Sequence, residues 1–571
     1  MSAKFQALAI AGFIALSAAY AEASEETVHS ERLPAVDAVQ SPPVRDIAPA
    51  DAEQDRDQPH VVPLRKREPS PATSAPLSKP PQDPLAPMQR KVPLTPLGSP
   101  LISFEGLSGK NNETAFGSPS SPADVNGDVG PNHYVQMVNN LWRVFDKQTG
   151  QPLTAPLKLS ALFKAGGVTG SCAKQDQGDP IVLYDPLADR WLLSQFNFDT
   201  AWNGNDKPPY HECVAISASA DPTGVYYLYD FIMEKNRFND YPKFGVWPDG
   251  YYLTVSQYGP NGGDFVGQAL YVFDRAGMLA GQSAAANYHD FSDMYELSIL
   301  LPADLDGPPP PAGTPNYVVG FNTNYYSGLP IPKLRVFEIY ADFASTSPSV
   351  YERAESPLSL ATFNAKICSN SAGNCIPQRG VGQKLDALTD RPLHRLQYRY
   401  FADSCPVDAS LSACGTLTFN HSVNSGNSKT GVRWYIATIN PSTDALRIAQ
   451  QGTFGTTDNS RWMGSVALNK NGDLAAGYSI SGPNVFPSIR YSGRLAGDTP
   501  NILTLGEGVL QNGTAPQTGG SERWGDYSMM AVDPVDDCTF WYTNQYYSTK
   551  SDGYNWYWKT RIGSFRLADN C

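Results

Sequence analysis

Between residues 24 and 100 the chain has no aromatic residue. Proline recurs there instead, at Pro42, Pro43, Pro69, Pro71, Pro80, Pro81, Pro84 and Pro87. Such a segment buries too little apolar surface to offset its ordering entropy, so residues 24–100 are expected to be a disordered Pro-rich linker, a spacer or a pro-segment. Long hydrophobic runs are also missing. The apolar stretch 7–19 is too short to span a bilayer. With Lys4 before it and Ala21-Glu22-Ala23 after it, it reads as a signal peptide ending at residue 23, with an uncleaved anchor as the alternative. Basic charge is in deficit: 43 Lys and Arg against 56 Asp and Glu give a net charge of −13. That balance argues against nucleic acid as a partner and gives no support to an anionic membrane surface. Histidine is scarce, at seven copies. There is no CxxC, so zinc is poorly supported. Nor is there a GxSxG, HExxH, P-loop or GxGxxG, which leaves serine hydrolase, zincin, NTPase and Rossmann readings without a basis.

The remainder, 101–571, is rich in Trp, Tyr, Phe, Gly and Asn and is expected to be one domain. A hairpin pattern recurs in it, two short apolar strands around a tight turn, at 181–196, 244–257, 461–479 and 523–547. In two of these the turn is built on Asp-Pro, at Asp185-Pro186 and Asp533-Pro534, where proline fixes its own φ and biases the preceding residue away from helix. Helical periodicity is weak, with one or two turns at most near 158–164. The expected fold is all-β: a β-propeller, a ring of four-stranded sheets, with seven blades expected and six or eight also compatible with the spacing. The spare strand 101–107 is expected to close the ring by joining the last blade, and 346–391 to be an insertion without clear strands.

All eight cysteines fall in the domain, which suits an oxidising compartment. The expected pairs are Cys172 with Cys213, Cys368 with Cys375, Cys405 with Cys414, and Cys538 with Cys571. Four stretches, 126–140 (NGDVGPNHYVQMVNN), 179–191 (DPIVLYDPLADRW), 239–252 (NDYPKFGVWPDGYY) and 523–544 (RWGDYS with VDPVDDCTFWYTN), resemble an uncharacterised family of secreted bacterial β-propeller-like proteins. The resemblance implies export and an all-β fold and carries no catalytic assignment. The domain is more loosely similar to sialidase-type propellers, but lacks their Asp boxes.

In a propeller, residues at the start of each innermost strand ring one mouth of the central channel. Asp179, Asp240 and Asp526 fall there and are the candidate catalytic carboxylates. Arg461, Arg523, Arg395, His394 and His421 are candidate ligand contacts, because arginine pairs bidentately with carboxylate or sulfate. Trp524 and Tyr527, with Trp462, could stack on sugars. The alternative makes Arg-Trp a blade-to-blade salt bridge beside a core tryptophan. Asp124, Asn126 and Asp128 alternate as in a calcium loop, but the sixth and twelfth positions are not those of an EF-hand, and an Asx-rich turn is the alternative. Two functions follow. One is an extracellular or periplasmic monomer, without a membrane span once its signal is cleaved, that binds an acidic glycan or a protein at the funnel. The other is a carbohydrate-active enzyme, hydrolase or lyase, at the same place.

Overall fold

The computed structural model describes residues 28–49, 60–61, 82–200, 206–322, 333–344, 350–365, 367, 374–518, 522–548, 557–569 and 571. The signal peptide expected at 1–23 lies outside them. The described residues are all-β, 49% of them in strands and 7% in helices, in a propeller-type succession of sheets.

The sheets follow one another along the chain, each an antiparallel meander. The first holds Asn126–Val129, His133–Val138 and Leu141–Asp146, extended by bridges from Trp142 to Leu157 and Phe145 to Pro152. The second runs from Gly178–Asp185 to Tyr226–Ile232, and the third from Phe238–Val246 to Ala284–Asp290. The meanders begun by Leu300–Leu305 and Pro392–Phe401 are fused by parallel pairing of these two first strands. The next opens with Ser460–Leu468 and the last with Met529–Val532. Each of these seven first strands touches the next, and Met529–Val532 touches Asn126–Val129. Apolar layers fill the spaces between consecutive sheets; one such layer runs from Ile181 and Leu192 of the second sheet to Phe244, Leu253 and Phe273 of the third.

The expected hairpins are present. The turn of the last one is held by Asp537 N–H donating to Asp533 O at 2.8 Å, with the Asp533 carboxylate accepting from Val535 N. The strand Ile102–Ser108 pairs with Lys559–Phe565, so the chain's early strand completes the last sheet as expected. The disulfides Cys172–Cys213, Cys405–Cys414 and Cys538–Cys571 are formed. Of the fourth expected pair, Cys375 is disulfide-bonded and Cys368 lies outside the described residues.

The linker expectation is corrected over 28–49 and 82–100, while 24–27, 50–59 and 62–81 lie outside the described residues. His29–Val36 adds a strand to the edge of the third sheet, and Val39–Gln40 adds one to the second. Further on, Asp83 pairs with the buried Arg433 at 2.9 Å, and Gln89 exchanges hydrogen bonds with Leu503. Composition missed this because the energy comes from backbone pairing with an open sheet edge, which needs no aromatic side chain. The 346–391 insertion also packs inward. Ile376, Leu385, Ala387 and Leu388 join Trp462 and Trp524 in one buried cluster.

Candidate functional site

The first strands of four sheets carry bulges near the centre of the molecule, where register slips between Gly178 and Ile181, Asp240 and Lys243, Leu393 and Gln397, and Trp462 and Ser465. At three of them a non-glycine residue takes left-handed backbone, Asp179 (φ 49°), Tyr241 (φ 56°) and Met463 (φ 49°), as does Asp124 (φ 44°) just before the strand Asn126–Val129. Each such residue costs roughly 1–2 kcal/mol. Asp124, Asp179 and Lys243 interact electrostatically with one another.

A chain of hydrogen bonds ties this centre together. The Asn139 side chain accepts from Asp179 N at 2.9 Å and donates to Asp124 Oδ2 at 2.9 Å. Asp124 Oδ1 accepts from Asp526 N at 2.9 Å. The Asp526 carboxylate is ion-paired with Arg523, whose Nε lies 3.3 Å from Asp386 Oδ2, and Asp386 Oδ1 accepts from Trp524 N at 2.8 Å. Tyr241 OH donates to Asp526 O and Tyr527 OH to Pro180 O, both at 3.1 Å. The Lys243 ammonium sits over both rings, 3.5 Å from the centre of Tyr241 and 4.1 Å from that of Tyr527, and donates to Pro242 O.

Asp124, Asp179, Lys243 and Asp386 are fully or almost fully buried. Burial first, then the charges of Asp124, Asp240 and Asp526, hold the Asp179 carboxyl well above the usual range. Burial and Asp526 raise Asp124, and burial raises Asp386 despite Arg523. Burial lowers Lys243 against the pull of Asp179, Asp526, Asp124 and Asp240. The centre is therefore rich in carboxylates that resist ionisation, with a lysine that gives up its proton easily. His394 is at its edge, ring centre 6.1 Å from Tyr527, with Nε2 buried and without a hydrogen-bond partner.

The expected catalytic carboxylates Asp526, Asp179 and Asp240 thus share one electrostatic cluster. Several other expectations are corrected. Arg461 is held bidentately by Glu507 at 2.8 and 2.7 Å, inside its own sheet, and is not at the centre. Trp524 and Trp462 are wholly buried, rings 5.6 Å apart, so neither offers a face to a sugar. Tyr527 is likewise buried, beneath Lys243. Arg395 is ion-paired with Asp304 at 2.5 Å and with Asp306, a link between the fused sheets. His421 lies among Phe321, Phe363 and Tyr435, bonded to Tyr435 OH at 3.0 Å, and is a core residue. The supposed calcium loop becomes the strand Asn126–Val129: Asn126 Oδ1 accepts from Val182 N and Asp128 Oδ2 from Tyr184 N, both at 2.8 Å. These oxygens cross-link the first two sheets, and Asp124 belongs to the central cluster. Tyr241, Asn139 and Asp386 were missed. Tyr241 lies in a bulged strand, Asn139 follows the strand His133–Val138 and Asp386 lies in the insertion, and none of these places carries a local signal.

No family model matches the chain, and no curated protein matches it. Among solved structures it is similar to the N-terminal domain of Nup159 (TM-score 0.32, 10% identity, 83% of this chain and 98% of that one). It is also similar to an endo-arabinase from Bacteroides thetaiotaomicron (TM-score 0.27, 12% identity, 57% and 95%). A third similarity is to a polysaccharide lyase of family PL25, an ulvan lyase (TM-score 0.30, 10% identity, 83% and 94%). All three similarities are distant.

Proposed function

We propose that this protein is an exported seven-bladed β-propeller whose central cluster is an acid–base site acting on an extracellular glycan, as a glycoside hydrolase. The observation that carries the reading is the pairing of unlike carboxyls. Asp179 is held protonated by burial and by its acidic neighbours, while Asp526 is tied to Arg523. A carboxyl that resists ionisation beside a carboxylate ion-paired with arginine offers an acid and a base. Asp179 is the proton donor to the leaving oxygen, and Asp526 the base or nucleophile. Hydrolysis is favoured over lyase chemistry, because a lyase needs free cations around its uronate. Here Arg523 is paired with carboxylates, and Asp124, Asp179, Asp240 and Asp386 outnumber the cations beside them. The substrate at the centre is accordingly a neutral sugar.

The near-complete burial of Asp124, Asp179 and Lys243 favours a second reading. In it the cluster plugs the channel and the protein only binds a glycan or protein ligand above it. A panel of neutral and acidic polysaccharides, assayed for new reducing ends and for unsaturated uronate, separates the two. The hydrolase reading expects reducing ends from a neutral glycan, lost in Asp526→Asn and Asp179→Asn. Binding without product in the wild type would leave the binding reading in its place.

A further inference from the structure

A second candidate site is lined by none of the residues of the central cluster. A cavity of about 1140 Å³ opens between the helix Leu159–Ala165, the loop 167–176 and the N-terminal stretch 42–49. Its size reaches that of small-molecule sites, which run to roughly 1,000 Å³. Lys158, Lys164 and Lys174 line it. Lys158 sits 4.3 Å over the ring of Phe116. Among the described residues no carboxylate lies within ion-pair distance of any of the three. In a chain of net charge −13, three ammonium groups without such a partner around one concavity form a local exception. The acidic residues on its lining are Asp46, on the exposed N-terminal stretch, and Asp176. Asp176 is turned into the wall, accepting from Ser160 N at 3.0 Å, Ser160 Oγ at 2.5 Å and Gln195 Nε2 at 2.8 Å.

The walls are fixed from behind. Asn197 Nδ2 donates to Ser171 O at 2.9 Å and Gln175 O at 2.7 Å, and Cys172–Cys213 staples the loop to the second sheet. Asp176 anchors the helix through Ser160. The N-terminal wall is held by Val44 N to Gly224 O at 2.9 Å and Arg45 N to Thr223 O at 3.0 Å. A preformed, half-apolar cavity with unpaired ammonium groups lets a ligand gain ion pairs without losing loop entropy.

We propose that this cavity binds an oligosaccharide bearing two or more anionic groups, carboxylate or sulfate, through Lys158, Lys164 and Lys174. The site does not depend on the chemistry assigned to the centre. Calorimetric titration of the full mature chain with oligogalacturonate and with a sulfated galacto-oligosaccharide distinguishes the two anion sources. A neutral galacto-oligosaccharide and inorganic sulfate are the controls. The expected result is binding of at least one charged oligosaccharide but not the neutral one, weakening as salt is raised. It falls by about tenfold or more in the triple variant Lys158→Gln/Lys164→Gln/Lys174→Gln, as loss of three partly screened ion pairs requires, and it is unchanged in Asp526→Asn. Circular dichroism confirms that the triple variant folds, and Lys164→Glu alone provides a second, milder test. The proposal is overturned if neither charged probe binds, if the triple variant binds like wild type, if the neutral sugar binds equally, or if Asp526→Asn abolishes binding.

Discussion

Arg461-Trp462 opens the first strand of one sheet and Arg523-Trp524 lies ahead of the first strand of the next, yet their tryptophans behave alike. Both rings are completely buried in one cluster with Leu385 and Leu388. The arginines part company. Arg461 lies in a strand and turns to Glu507 and Thr456, within its own sheet. Arg523 lies in an irregular lead-in, six residues before the strand Met529–Val532, and turns to Asp386 and Asp526 at the centre. The same dipeptide is thus structural in one sheet and part of the candidate site in the next. Its surroundings decide: Glu507 comes from the segment just before the outer strand Gly508–Gln511, whereas Asp386 is delivered by the insertion and Asp526 by the lead-in.

That contrast can be broken from either side. The largest effect is expected at the centre. Asp526→Asn should lower glycan turnover by about 10²–10⁴-fold, as loss of an acid–base group does, while Glu507→Gln leaves turnover near wild type; reducing-end assays on both check this. Next comes stability. Arg461→Ala leaves Glu507, which still accepts from Tyr478 OH, without its buried cation and should cost about 3–5 kcal/mol in denaturant unfolding. A double change of Arg461→Met with Glu507→Leu should recover most of that loss.

A smaller effect concerns pH. Burial pushes Glu212 up to about 8, although Ser194 and Asn239 donate to it, and pushes Asp128 to about 8 despite Arg395. In the unfolded chain such groups titrate near 4, so between about pH 4 and 8 the folded state holds more protons and stability falls as pH rises. On the acid side, Lys235 and Arg237 outweigh burial to hold Asp290 at about 2, so its contribution is present above about pH 4 and lost toward 2. Thermal melts should therefore peak on the acid side of neutrality, and Glu212→Gln should flatten the decline above the peak. The smallest effect is expected at the rim. Arg45 and Asp221 pair at 3.2 Å while both are largely exposed, and Arg45→Ala should shift unfolding by less than about 1 kcal/mol.

Much of the fold is legible in the residues. The Asp-Pro turns, the paired cysteines and the spare strand at 101–107 announce hairpins, staples and closure through local chemistry. The membership of the central cluster is only half legible. Asp179, Asp240 and Asp526 stand out as charged residues at strand starts, in a chain with 17% charged residues. Arg461 is claimed by Glu507, 46 residues on, and Arg523 by the nearby Asp526 together with Asp386, more than 130 residues back; the two distant partners have no local signature. The role of Asp124 was hidden because an Asx-rich stretch reads as a cation loop until the strand register is known. The docked N-terminal strands were hidden because sheet-edge pairing leaves little mark on composition.

The account turns on Asp179 keeping its proton while Asp526 is tied to Arg523. Infrared difference spectroscopy of wild type against Asp179→Asn at about pH 6, well above the ordinary aspartate range, reads this directly. The account predicts a protonated carboxyl band in the wild type that the variant lacks. A difference spectrum showing only a lost carboxylate band would contradict it.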